Sequence, residues 1–142
     1  MKGAETLVAT LKKFGCKTIL VTGGFTHFAE PVSELIGFDE FVANTLDIEG
    51  GRLTGKLQGP IINSKTKLET LVAEQKYQGY ESSTLAIGDG ANDSLMLQAA
   101  DYGIAYKAKK AAKRSANGWI EVGDLKAVLK LFLIPEKDWV RH

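Results

Sequence analysis

Leu7, Val8, Leu11 and Phe14 recur at helical spacing after Ala4, and Gly15 follows as a stop. Residues 17–21 then read as a buried strand. Phe28, Ala29, Val32, Leu35 and Ile36 form a second helical stripe that ends at Gly37. Pro31 lies inside that stripe, where proline removes an N–H and crowds the preceding turn; the pattern predicts a helix that starts near Glu30 or kinks there. A strand over 41–48, a turn at Gly50-Gly51 and a return strand over 52–57 predict a hairpin. Asn63 or Ser64 suits the cap of a helix whose apolar face includes Leu68, Leu71 and Val72. Next come a strand at 84–87, a helix at 92–100, a short strand at 103–106 and a basic helix near 109–115. A strand at 119–122 and a helix at 125–132 complete the run. Alternating strands and helices predict an α/β fold, a mostly parallel sheet flanked by helices. The expected division is a core over residues 1–133 and a tail at 134–142, begun by the helix-ending Pro135. Trp139 and Val140 in that tail either pack back on the body or serve a partner.

Composition narrows the function classes. A chain of 142 residues with 44% apolar and 25% charged side chains can bury one domain's core. A net charge of +1 gives no electrostatic footprint for nucleic acid or an acidic membrane surface. Lys107, Lys109, Lys110, Lys113 and Arg114 cluster at helical spacing and read as a solvated face. No apolar run approaches the roughly 20 residues of a membrane span. The opening Met1-Lys2-Gly3-Ala4-Glu5 has no signal-peptide character, so a cytoplasmic location is expected. Cys16 is the single cysteine and reads as a semi-buried structural thiol. His27 reads as a solvated histidine of a first helical turn, and the terminal His142 as a mobile one.

Three segments carry candidate chemistry. Gly88-Asp89-Gly90-Ala91-Asn92-Asp93 directly follows the apolar run 84–87 and concentrates negative charge on a permissive backbone. One reading is a strand-to-helix turn in which Asn92 or Asp93 is an N-cap. The other is an acidic Mg²⁺ site at the carboxyl end of a parallel strand. Strand-like 18–21 runs into Thr22-Gly23-Gly24, a hydroxyl followed by free backbone, and Lys67 lies near a helix start. A hydroxyl with backbone N–H groups, an ammonium and a metal-binding carboxylate are together what a phosphoryl group needs for neutralisation.

In that order and spacing the segments resemble the haloacid dehalogenase superfamily, closest to its phosphoserine phosphatase branch. Val21-Thr22-Gly23-Gly24-Phe25-Thr26, Ala43-Asn44-Thr45-Leu46, Leu53-Thr54-Gly55, the acidic turn and Gly103–Lys109 carry the likeness, which spans about Gly3 to Leu129. The resemblance implies a Rossmann-like core and Mg²⁺-dependent hydrolysis of a phosphorylated small molecule, phosphoserine, to serine and phosphate. It places Asp89 and Asp93 at the metal, with Asp93 holding metal waters or orienting Lys67. It places Thr22, Gly23, Lys67 and Asn92 at the phosphate or substrate, and gives Lys67 the charge-neutralising role. The family usually has serine where Thr22 stands.

The same family begins with a strand ending in Asp-x-Asp-x-Thr, whose first aspartate attacks phosphorus. None of the seven aspartates here has another two residues on, and none precedes Thr22-Gly23-Gly24. The resemblance therefore implies a core without its central first strand and cap, inactive alone and weak at best in Mg²⁺ binding. It also implies a gap between the strands at 18–21 and 84–87, closed by direct pairing or by self-association through exposed edges. Three readings remain: a truncated phosphatase, a non-catalytic phosphate- or partner-binding scaffold, and one half of a split enzyme.

Overall fold

The computed structural model describes residues 1–79 and 81–141, so the expectation for His142 lies outside the described residues. In chain order the elements begin α1 (Ala4–Lys13), β1 (Ile19–Phe25), α2 (Thr26–Ile36), β2 (Glu40–Glu49), β3 (Arg52–Gln58) and α3 (Ser64–Gln78). They continue β4 (Leu85–Gly88), α4 (Ser94–Ala99), β5 (Tyr102–Tyr106), α5 (Lys110–Ser115), β6 (Gly118–Ile120) and α6 (Ala127–Leu131). The chain divides into two compact units, Met1–Ile62 with the segment from Asp124 onward, and Asn63–Gly123.

In the first unit β1 pairs in parallel with β2, and β2 pairs antiparallel with β3 through the Gly50-Gly51 turn. Both turn glycines have positive φ, 60° and 79°, as a two-residue hairpin turn demands. Asp39 ties the start of β1 to the approach to β2: its Oδ2 accepts from Thr18 N at 2.7 Å and from Thr18 Oγ at 3.0 Å. The core is built from Ala4, Leu7 and Val8 of α1, Ala29 of α2, and Leu125, Val128 and Leu129 at α6. The tail packs back. Trp139 is only 8% exposed and donates Nε1–H to Ile134 O, while Val140 N donates to the fully buried Thr10 Oγ.

In the second unit β4, β5 and β6 form an all-parallel ladder. Its core is Ala86, Leu97, Ala100, Ala105 and Ala112, with Leu71 and Met96 packed against it. These small residues let α4 lie close to the sheet. A Cβ at Gly103 would stand 2.2 Å from the Leu97 carbonyl oxygen, so this approach requires glycine. Lys107, Lys109, Lys110 and Arg114 are exposed, and Lys113 pairs with Glu121. Trp119, on β6, is 56% exposed.

The α/β class with parallel ladders flanked by helices is as the sequence predicts. Among the described residues the strands form two ladders of three, with β1 and β4 each the end strand of its own ladder. Ile19, Leu20 and Val21 on β1 are only half-buried, as befits an edge. Two local expectations need correction. Of the two readings of Pro31, the helix start near Glu30 is overturned: the second helix starts at Thr26 and carries Pro31 inside it. Proline there forfeits only the bond to the His27 carbonyl, early in the helix, and the remaining turns hold it. Phe28, Val32 and Leu35 face outward, and the buried line of α2 is Ala29 and Ser33. Cys16 is exposed rather than semi-buried, because it lies in the turn after α1. His27 is exposed, edge-on to Phe28. Among the described residues no helix is long and apolar enough to cross a membrane.

Candidate functional site

Asn63 starts α3 as its cap, its Oδ1 accepting from Thr66 N at 3.1 Å. One turn on, Lys67 is the single fully buried residue of that helix, whose Leu68, Leu71 and Val72 are half-buried. Of the two nearby lysines, Lys65 is exposed and faces Glu69. Lys67 Nζ instead donates to Asp93 Oδ1 at 2.7 Å, with both side chains less than a tenth exposed. An ammonium is removed from water only where a counter-charge and hydrogen bonds meet it.

Asp93 closes the acidic turn on itself. Its Oδ2 accepts from the backbone N–H groups of Asp89 and Gly90 at 3.0 and 3.2 Å. Burial pushes the Asp93 carboxyl up, but Lys67 and the two backbone N–H groups outweigh burial and hold it below the ordinary carboxylate value. Gly88 makes the close fit possible, since a Cβ there would lie 2.5 Å from Asp93 Cβ. Asp89 and Asn92 stand exposed on the same turn, and the Asp89 carbonyl accepts from Lys109 N at 3.1 Å. The structure thus brings Lys67, Asp93 and the backbone of Asp89 into contact, with Asn92 beside them in the chain.

Thr22 and Gly23 belong to the first unit, where β1 departs from its ladder. Val21 pairs with Val42 but the next pair is Phe25 with Asn44, so Thr22, Gly23 and Gly24 face Ala43 alone. Thr22 Oγ accepts from Gly24 N at 3.0 Å. That bond uses an acceptor lone pair and leaves the hydroxyl proton to donate elsewhere. The Gly23 carbonyl accepts from Asn44 Nδ2 at 2.9 Å. Asn44 is a site residue to which sequence reasoning assigned no role. Its signal was its place in Ala43-Asn44-Thr45-Leu46, one of the segments that carry the family likeness.

The residues present do not fit a Mg²⁺ ion by themselves. Octahedral Mg²⁺ takes six oxygens. Asp93 has both oxygens engaged, which leaves the Asp89 carboxylate as the turn's exposed one. Among the described residues no group of three or more His, Cys, Asp or Glu side chains is placed to hold a metal.

The sequence model of the haloacid dehalogenase-like hydrolases matches residues 1–98, more than half of the chain. The chain belongs to that family. It is 38% identical to a phosphoserine phosphatase of Archaeoglobus fulgidus over 94% of its own length and 39% of that protein's. Similarity to a phosphoserine phosphatase of Idiomarina loihiensis is 42% identity over 89% of this chain and 58% of the relative. Among solved structures, an unliganded probable phosphoserine phosphatase from Vibrio cholerae superposes with a TM-score of 0.85 at 34% identity, covering 97% of this chain and 43% of that one. The chain therefore spans about two fifths to three fifths of the length of these proteins.

Proposed function

We propose that this chain carries the phosphate-handling part of a phosphomonoester hydrolase acting on phosphoserine, located in the cytoplasm. The buried Lys67–Asp93 pair beneath the acidic turn carries the reading, because a fixed ammonium held by a carboxylate is what a phosphoryl dianion needs. Similarity to phosphoserine phosphatases supports the choice of substrate.

Each unit has its own roles. In the first, the Thr22 hydroxyl and the Gly23 N–H are donors for a phosphate oxygen. In the second, Lys67 supplies positive charge for a phosphoryl group, Asn92 donates to the phosphate or the substrate, and Asp93 positions Lys67. Asp89 is the carboxylate available to a metal. Thr22, Lys67 and Asn92 bind and orient; none is a nucleophile toward phosphorus. With no Asp-x-Asp pair, this chain is expected to bind phosphoserine without turning it over.

A second reading, a binding scaffold or one half of a split enzyme, is favoured by β1 and β4 each being the end strand of its own ladder, a position that can accept a further strand. One experiment addresses both. Titrating the labelled chain with phosphoserine should shift the amides of Thr22–Gly24 and Gly90–Asp93, while phosphate release in Mg²⁺ stays at background. Unmoved amides would reject the reading, as would turnover abolished by Asp89→Asn. Adding a peptide that carries an Asp-x-Asp-x-Thr strand should restore turnover for a split enzyme and leave a binding scaffold inactive.

A further inference from the structure

Asn44 sits within β2 at 6% exposure, an amide in a place where a strand ordinarily buries apolar bulk. Its two partners are backbone groups of opposite kind. Nδ2 donates to the Gly23 carbonyl at 2.9 Å, and Oδ1 accepts from Ile62 N at 2.7 Å. A carbonyl only accepts and an N–H only donates, so the orientation of the Asn44 amide is fixed by chemistry.

The Gly23 carbonyl belongs to the same peptide unit as Gly24 N–H, which donates to Thr22 Oγ at 3.0 Å. One peptide plane is therefore gripped at both ends, by Asn44 and by Thr22. It lies where three residues of β1 face one of β2 and the regular ladder offers no support. With glycine on both sides, the plane would otherwise rotate at little steric cost. A rotated plane would present carbonyl oxygen where the anion requires donors.

We infer that Asn44 is the positioning residue of this turn. Its amide keeps the Gly23 carbonyl turned inward, which leaves the Thr22 hydroxyl proton and the Gly23 N–H as the donors offered to a phosphate oxygen. The same side chain anchors Ile62, the residue that precedes the Asn63 cap of α3 in the chain. The inference rests on the phosphate role proposed above for Thr22 and Gly23.

The test compares Asn44→Asp, Asn44→Ala and a control, Thr18→Val, which loses side-chain bonds to Asp39 elsewhere in the same unit. Amide hydrogen exchange is followed by NMR on the intact chain, and affinity is measured for inorganic phosphate. Gly24 exchange should quicken by about fivefold or more in both Asn44 variants, the worth of one lost hydrogen bond. Ile62 should lose protection in Asn44→Ala but keep it in Asn44→Asp, which retains the acceptor. Phosphate affinity should fall roughly tenfold in both Asn44 variants, and stay unchanged in the control. Gly24 protection and phosphate affinity that follow Thr18→Val at matched loss of thermal stability would overturn the inference, reducing Asn44 to a structural residue. Should Asn44→Asp fail to fold, the same comparison is read on Asn44→Ala. If phosphate leaves the Thr22–Gly24 amides of the unsubstituted chain unmoved, the functional reading fails instead, and Gly24 exchange still decides whether Asn44 grips the turn.

Discussion

Asp93→Asn keeps the shape of the acidic turn and removes the counter-charge of Lys67. The two side chains are 8% and 7% exposed and meet at 2.7 Å. At an effective dielectric of about 20 the gross attraction at that distance is roughly 6 kcal/mol, most of which offsets the cost of taking both charges out of water. Leaving Lys67 buried and unpaired should therefore cost about 3–5 kcal/mol of stability. Lys67→Met leaves Asp93 with its two backbone donors and should cost less, about 1–3 kcal/mol. The double variant Lys67→Met/Asp93→Asn should fall short of the sum by about 2 kcal/mol. Urea unfolding at neutral pH measures all three, provided the slope of stability against urea is constant. Single costs that add to within about 0.5 kcal/mol would refute the coupling. Acid gives the matching sign. The Asp93 carboxyl is held below its ordinary value when folded, so its contribution is complete above about pH 4 and is lost as pH falls toward the folded value. Asp39, held low chiefly by the Thr18 backbone N–H, loses stability in the same direction. The acid limb should be shallower in Asp93→Asn than in the unsubstituted chain; identical limbs would count against the assignment.

Gly88→Ala places a methyl 2.5 Å from Asp93 Cβ and should cost about 1–3 kcal/mol by urea unfolding, whereas Gly118→Ala, whose nearest neighbour is 3.8 Å away, should stay within about 0.5 kcal/mol; equal costs would show that the Gly88 contact is not tight. Mg²⁺ titration should shift the amides of Gly88–Asp93 first, with a dissociation constant on the order of millimolar or weaker because one carboxylate is available. Micromolar affinity, or shifts centred elsewhere, would reject Asp89 as the metal-facing group.

The order of elements was legible because apolar spacing switched cleanly between strands and helices, and because Gly50-Gly51 and Asn63 carry their own turn and cap chemistry. Lys67 could be chosen over Lys65 from its place in the motif, and the structure buries the former while exposing the latter. Periodicity says which residues share a helix face but not what covers it: the stripe predicted the helix, and Phe28, Val32 and Leu35 on it are exposed. Proline's preference for helix starts displaced the predicted beginning of α2, though the chain tolerates Pro31 in its interior. The departure of Thr22–Gly24 from the ladder, and the grip of Asn44 on it, depend on contacts between residues far apart in sequence. No local pattern encodes those contacts. The saturation of Asp93 was hidden for the same reason: composition counts carboxylates, while only the fold decides which of their oxygens are already taken.

The two tryptophans give each compact unit its own optical reporter. Trp139 is buried in the first unit, while Trp119 on β6 of the second is 56% exposed, so the two indoles stand in different surroundings. Replacing either one with phenylalanine would leave a single-colour protein in which one unit's melting is watched alone. Coincident curves from the two would mark one cooperative transition, and separated curves would assign a stability to each unit.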